Sequence, residues 1–110
     1  MKILRQYGIN GDKRLLYNLT QTQDGRISEM VGQRIPVKAY LLYETENKDG
    51  EIIQVLKILT DENQIVSTGS AAFIRGVCDF LTCMETDELD EVEVIQKVSS
   101  AGRKYIAFKA

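Results

Sequence analysis

The sequence predicts a mostly β domain with one helix, and the spacing of its apolar residues carries this prediction. Between residues 34 and 68, apolar and polar side chains alternate in stretches separated by turn residues, which is the pattern of half-buried strands. After Gly69 the apolar side chains recur at helical spacing, and alternation returns from residue 91 onwards. At 110 residues the chain has the length of one domain.

Five strands and one helix are expected, in the order β-β-β-α-β-β. The expected strands are 34–46, 51–60, 64–68, 91–100 and 103–110. Pro36 fits an edge position of the first strand, and the Asp-Gly pair of "NKDG" predicts a hairpin turn between the first two strands. Ser70 is a candidate N-cap for the helix, which is expected to end before an acidic run.

A five-stranded barrel with one helix between its third and fourth strands is the arrangement of the OB fold, so we predict one OB-fold-like domain over residues 1–110. Within residues 1–28, the stretch "KRLLYNLTQTQDGRI" fits either a short helix or a strand, and the Asn-Gly and Asp-Gly pairs at 10–11 and 24–25 are turn signals. Of the two alternatives, extended structure is favoured. Residues 1–26 are an N-terminal extension that either covers one end of the barrel or mediates a homodimer, and both alternatives stay open.

Composition favours binding over catalysis. Histidine is absent, which removes the commonest general base and the commonest zinc ligand. Cys78 and Cys83 are too few and badly spaced for a disulfide framework or a zinc site. The stretch "STGSAAF" lacks the lysine and the spacing of a phosphate-binding loop. We therefore expect no enzymatic activity, no cofactor and no metal.

The start of the chain, "MKILRQYGINGDK", has no apolar run typical of a signal peptide. No stretch approaches the roughly 18 apolar residues of a membrane helix. We therefore expect an intracellular protein without a membrane partner.

Charge is distributed unevenly along the chain. The formal net charge is −2, from 14 basic and 16 acidic residues. Six of the acids form a run within nine residues: Glu85, Asp87, Glu88, Asp90, Glu91 and Glu93. The rest of the chain is therefore mildly basic. Such a run is either a solvated loop or a surface that keeps anions or a partner away from one side.

Basic and aromatic residues share strand faces. On the last strand Arg103, Tyr105 and Lys109 alternate on one face, and Lys38 and Tyr40 share a face of the first. Cations that follow phosphates, beside rings that stack on bases, are what single-stranded nucleic acid binding requires. The predicted binding residues are Lys38, Tyr40, Lys57, Lys97, Arg103, Lys104 and Tyr105. Arg75 is expected to form an ion pair with Asp79, four residues later on the helix.

Three stretches together resemble a known family: "SEMVGQRIPVKAYLLYE", "IQVLKILTDENQIVSTGSAAFIRGVCDFL" and "VSSAGRKYIAFKA". They are similar to small single-stranded DNA-binding proteins of phages and mobile elements of Gram-positive bacteria, over residues 27–110. The resemblance implies an OB-like fold, single-stranded DNA binding in DNA replication or recombination, a cytoplasmic location, and replication or recombination proteins as partners. Many bacterial single-stranded DNA-binding proteins end in an acidic tail, whereas this chain ends on basic residues.

Two other functions remain open at this point. The acidic run favours a protein-interaction module, such as a phage effector that binds or inhibits a host protein. A metal-dependent enzyme built on carboxylates is the weaker alternative, and it requires acids that converge in a cleft.

Overall fold

The computed structural model describes residues 1–84 and 91–109. This part of the chain forms a mostly β domain with two α-helices and eight strands in two sheets. The strands are β1 (Lys2–Tyr7), β2 (Gly25–Arg26), β3 (Arg34–Pro36), β4 (Ala39–Glu46), β5 (Ile52–Leu59), β6 (Ile65–Thr68), β7 (Glu91–Val98) and β8 (Lys104–Lys109). The helices are α1 (Lys13–Gln21) and α2 (Ala71–Met84). Neither of these two helices is long and apolar enough to cross a membrane.

The first predicted strand, 34–46, divides between the two sheets. Its start, β3, pairs with β7 in a three-stranded sheet of order β3-β7-β8. Its longer part, β4, pairs with β1 and β5 in a five-stranded sheet of order β1-β4-β5-β6-β2. The break falls at Val37 and Lys38, where the Lys38 N–H donates to the Leu59 carbonyl at 2.8 Å. One continuous segment therefore joins the two sheets.

The later predicted elements are confirmed. β5, β6, β7 and β8 all lie within the strands expected from alternation. The turn after β4 is closed by the Asn47 N–H, which donates to the Glu51 carbonyl at 2.9 Å, and Gly50 has a φ of 78°. Ser70 caps α2, since its Oγ accepts from the Phe73 N–H at 3.4 Å.

The predicted barrel is not confirmed. Within residues 1–84 and 91–109, no strand of one sheet is hydrogen-bonded to a strand of the other, so the sheets do not close on each other. The expected order of five strands and one helix was also too short, because the N-terminal residues add two strands and a second helix.

Of the two alternatives for the stretch that follows Asp12, the helix is the one found and the favoured extended structure was wrong, because residues 13–21 form α1. The Asp12 carboxylate caps this helix by accepting from the Arg14 and Leu15 N–H groups, both at 3.1 Å. Its Leu19 is fully buried against the five-stranded sheet, in a cluster that also contains Leu41 and Tyr43 of β4. Because α1 covers this face, residues 39–43 of β4 are buried on both faces.

The main core lies on the other face of the five-stranded sheet and is completed by α2 and the small sheet. Phe73 and Val77 of α2 pack there with Val94 of β7 and Ile106 of β8. At Gly76, α2 comes so close to β8 that a Cβ atom would lie 2.8 Å from the Phe108 Cβ. This packing fixes α2 beside β8.

Candidate functional site

Three adjoining cavities form one groove, which runs from β2 and β6, past the start of β8, to the space between α2 and the β7–β8 hairpin. The Arg26 cavity, about 260 Å³, is lined by Gln23, Arg26, Ser28, Ser67 and Thr68. The central cavity, about 420 Å³, is lined by Ser28, Val31, Thr68, Gln96, Lys104 and Tyr105. The Lys97 cavity, about 220 Å³, is lined by Arg75, Gly76, Asp79, Lys97, Tyr105 and Phe108. The first two cavities share Ser28 and Thr68, and the last two share Tyr105, so the three cavities adjoin one another.

Strand register and a helix start position the groove residues. Lys97 and Tyr105 lie directly opposite each other in the antiparallel pair of β7 and β8. β6 leads through Gly69 into α2, and the Ser70 Oγ donates to the Ile106 carbonyl at 3.5 Å. The end of β6 therefore stays close to β8 although the two strands are not paired.

Within residues 1–84 and 91–109, the side chains that line the groove are predominantly positive. Four of these described residues are exposed cations: Arg26, Arg75, Lys97 and Lys104. Asp79 is the one acidic residue among the lining side chains named for these cavities. Tyr105 lies at the junction of two cavities and is 38% exposed, so its ring is accessible. Cations around an accessible aromatic ring can bind a polyanion with stackable groups.

Hydrogen bonds hold the segment before Arg26 in place. The Ser67 Oγ donates to the Gln23 Oε1 at 2.6 Å, and the Ile65 N–H donates to the Asp24 Oδ2 at 2.8 Å. β2 then runs parallel to β6, with Arg26 opposite Ser67. The five-stranded sheet therefore holds Arg26 in position at its end of the groove.

Lys57 also helps to hold the segment before Arg26 in place, and it is not part of an exposed surface. It is 6% exposed, and its Nζ donates to the Thr22 carbonyl, just after α1, at 2.9 Å. Burial lowers the pKa of the Lys57 ammonium. The expectation that Lys57 binds phosphate was wrong, because α1 and the residues that follow it cover its face of the sheet.

Tyr40 also differs from its predicted role. It is 1% exposed in the main core, where its ring stacks on that of Tyr7 with centroids 5.8 Å apart. A ring buried in this way offers no free face to a base, so Tyr40 is a core residue. On the opposite face of β4, burial raises the pKa of Tyr43.

The other predicted binding residues divide into two groups. Lys97, Lys104 and Tyr105 lie together in the groove. Arg103 is exposed in the turn before β8, where its N–H donates to the Ser99 Oγ at 3.1 Å, and it does not line the three cavities. Lys38 is exposed elsewhere, with its Nζ donating to the Asn63 Oδ1 at 3.3 Å.

Part of the acidic run is neutralised within the fold. Arg34 of β3 forms ion pairs with Glu91 and Glu93 of β7, the second at 3.4 Å. The hydrogen bond to Glu91 raises the pKa of the Arg34 guanidinium. Glu85, Asp87, Glu88 and Asp90 lie outside the described residues.

Sequence reasoning missed two groove cations. Arg75 was expected to pair with Asp79, but the ion pairs among the described residues do not include this one, although both side chains line the Lys97 cavity. The sequence signal that could have placed Arg75 in the groove was its position in α2 directly before Gly76. Nothing in the local sequence placed Arg26 near β8, because that proximity depends on the pairing of β2 with β6.

Two other features do not provide a better site. A larger cavity, about 580 Å³, is lined by residues 6–11, which form the end of β1 and the loop after it, and none of these six carries a charged side chain. Among the described residues, no group of three or more Cys, Asp or Glu side chains is placed to hold a metal ion.

Comparison of the chain with models of protein families, with curated proteins and with solved structures found no match.

Proposed function

We propose that this protein binds single-stranded DNA with little sequence preference, and that the groove is the binding site. The observation that carries the proposal is the exposed Tyr105 ring beside Lys97, its cross-strand partner, in a groove that Lys104, Arg26 and Arg75 also line. An aromatic face accepts any base, and cations spaced along a groove follow the backbone of the strand.

The arrangement of the strands supports an OB-like architecture, which is part of the same proposal. The segment that joins the two sheets, β3 with β4, is followed by β5, β6, α2, β7 and β8, the order expected of an OB fold. The OB fold is a partly open barrel. In this chain β2 is the edge strand beside β6, and the central cavity of the groove lies between the end of β6 and β8.

The charge of the groove sets the expected dependence of binding on salt. Each phosphate contact with single-stranded DNA contributes about −0.7 to the slope of log K against log salt concentration. Four groove cations that each contact a phosphate give a slope of about −3. Binding is therefore tight at low salt and weakens steeply as salt is added.

The biological setting of the proposal comes from the resemblance of residues 27–110 to phage and mobile-element proteins. On that basis the protein acts in the cytoplasm of a bacterial or phage-infected cell, in DNA replication or recombination. Proteins of those processes are its expected partners. No catalytic step is part of this proposal.

The test is a salt titration by fluorescence anisotropy with an oligonucleotide of about 30 bases, which exceeds the roughly 4–16 nucleotides that one OB domain covers. The test variant is Lys97→Ala/Lys104→Ala/Tyr105→Ala. We expect it to bind at least about tenfold more weakly at low salt and to have a shallower slope, by about 1.4, because it loses one stacking ring and two phosphate contacts.

The matched control is Lys13→Ala/Lys48→Ala/Tyr17→Ala, which removes the same three side-chain types from exposed positions that line none of the groove cavities. It should bind like the wild type. Absence of wild-type binding at low salt would overturn the proposal and favour the protein-interaction module. Equal losses in the two variants would remove the groove as the site.

A further inference from the structure

We propose that the central cavity takes one unpaired nucleobase, turned out of the strand, while the flanking cations hold the neighbouring phosphates. This inference rests on the proposed strand-binding function and adds to it the position at which the strand is gripped. The chemical class of the ligand in the cavity is a nucleobase of single-stranded nucleic acid.

The size and walls of the central cavity fit a flat, partly apolar ring. Its volume of about 420 Å³ lies within the range of roughly 300–1,000 Å³ typical of small-ligand pockets. The apolar part of its lining comes from Val31, Tyr105 and Ile106. Val31 is 41% exposed although it is apolar, and it shares this cavity with the accessible Tyr105 ring. Two accessible apolar side chains at one cavity favour a ring over a phosphate.

Polar groups in the same cavity can pair with the edge of a base. Among the described residues, neither the Gln96 amide nor the Ser28 hydroxyl has a side-chain hydrogen-bond partner, and both line the cavity. An amide offers a donor and an acceptor, and a hydroxyl can act as either. Either group can therefore adapt to different bases, which is compatible with little sequence preference.

The cations beside the central cavity are positioned to bind the phosphates of the strand outside the cavity. Lys104 is exposed at the central cavity, and Arg26 lies in the adjoining cavity that shares Ser28 and Thr68 with it. A strand that follows the groove passes both cations, so a base between them points into the cavity. A base that is stacked and paired in a duplex cannot enter, because entry requires it to leave the stack.

The test fills the cavity and leaves the groove cations in place. Val31→Trp puts a large side chain at an exposed lining position, and Val98→Trp is the control, because Val98 is also exposed and lines none of the three cavities. The probe is a thymidine oligonucleotide that contains 2-aminopurine, read by the fluorescence of that base and, in parallel, by the anisotropy of a dye at one end.

The wild type and Val98→Trp should quench 2-aminopurine on binding, because the base stacks against Tyr105. Val31→Trp should lose most of this quenching and bind about 5- to 150-fold more weakly, the range expected for the loss of one stacked base. Gln96→Ala, which leaves the space open, should keep the quenching and lose affinity by a smaller factor.

Two results would overturn the inference, and they are distinguishable. If Val31→Trp binds and quenches like the wild type, the cavity holds no base, although the groove remains the binding site. If the wild type gives no anisotropy change at low salt, the strand-binding function fails and the base pocket fails with it. A circular dichroism spectrum matching that of the wild type confirms that each variant is folded.

Discussion

Lys57 and Lys104 show how far position decides the role of one residue type. Lys57 lies on the face of β5 that α1 covers, and it binds a main-chain carbonyl. Lys104 starts the edge strand β8 and lines the groove. Alternation along β5 was visible in the sequence, but the helix that covers Lys57 lies more than thirty residues earlier in the chain. The role of Lys57 therefore could not be predicted from its own strand.

Burial of Lys57 predicts a dependence of stability on alkaline pH. Its pKa is lowered below 10.5 in the folded state, so the unfolded chain binds the proton more readily. The unfolding free energy of the wild type should therefore rise as pH increases towards 10.5, and this gain is lost as pH falls through the folded-state pKa. Lys57→Met should not show the rise.

Urea denaturation of both proteins, from about pH 8 to about pH 11, measures this difference. The raised pKa of Tyr43 acts in the opposite direction above pH 10.0, because there the unfolded chain releases its proton first. This contribution is common to both proteins and cancels in the comparison. A stability difference that does not change with pH would contradict the assigned environment of Lys57.

Among the elements, α2 and its contact with β8 show what local patterns can predict. The helical spacing after Gly69 and the Ser70 cap predicted α2 correctly. α1 was the less favoured of two alternatives, although Leu15, Leu16 and Leu19 have helical spacing and Asp12 precedes them as a cap. The turn signal just before it favoured extended structure, and a nine-residue helix depends on packing against the sheet. The local sequence therefore gives only a weak signal for a short helix of this kind.

Gly76→Ala should destabilise the protein. An alanine in a helix interior normally gains about 1 kcal/mol over glycine, but here its Cβ would lie 2.8 Å from the Phe108 Cβ. The Phe108 ring is held by Phe73 and Phe80, with centroids 6.2 Å and 5.4 Å away, so it cannot easily move. Overpacking of this kind costs about 1–3 kcal/mol, and we expect a net loss.

Chemical denaturation of Gly76→Ala and of Gly25→Ala provides the comparison. At Gly25 the added Cβ would lie 3.5 Å from the Val66 Cγ1, an ordinary contact, so that variant should match or exceed wild-type stability by about 0.4–1 kcal/mol. If Gly76→Ala is as stable as the wild type, α2 does not approach β8 as closely as described.

At the scale of the whole molecule, the groove depends on how the two sheets are joined. Three of the residues named from the sequence, Lys97, Lys104 and Tyr105, lie together in the groove because they belong to two neighbouring strands of one hairpin. The sequence could not predict Arg26, which reaches the groove only through the pairing of β2 with β6. It misplaced Tyr40, because alternation does not reveal that both faces of a strand are covered. Contacts within a hairpin are local in sequence, whereas contacts between the sheets are not.

The most direct test of the account is an NMR titration of the ¹⁵N-labelled protein with a thymidine oligonucleotide of about eight bases, a length within the range covered by one OB domain. We predict that the largest amide shifts come from both walls of the groove, at Arg26, Ser28, Thr68, Lys104 and Tyr105 together. Residues of α1 should shift little. Shifts concentrated on α1 or on the acidic residues 85–90, or no shifts at low salt, would contradict the groove as a site for single-stranded DNA.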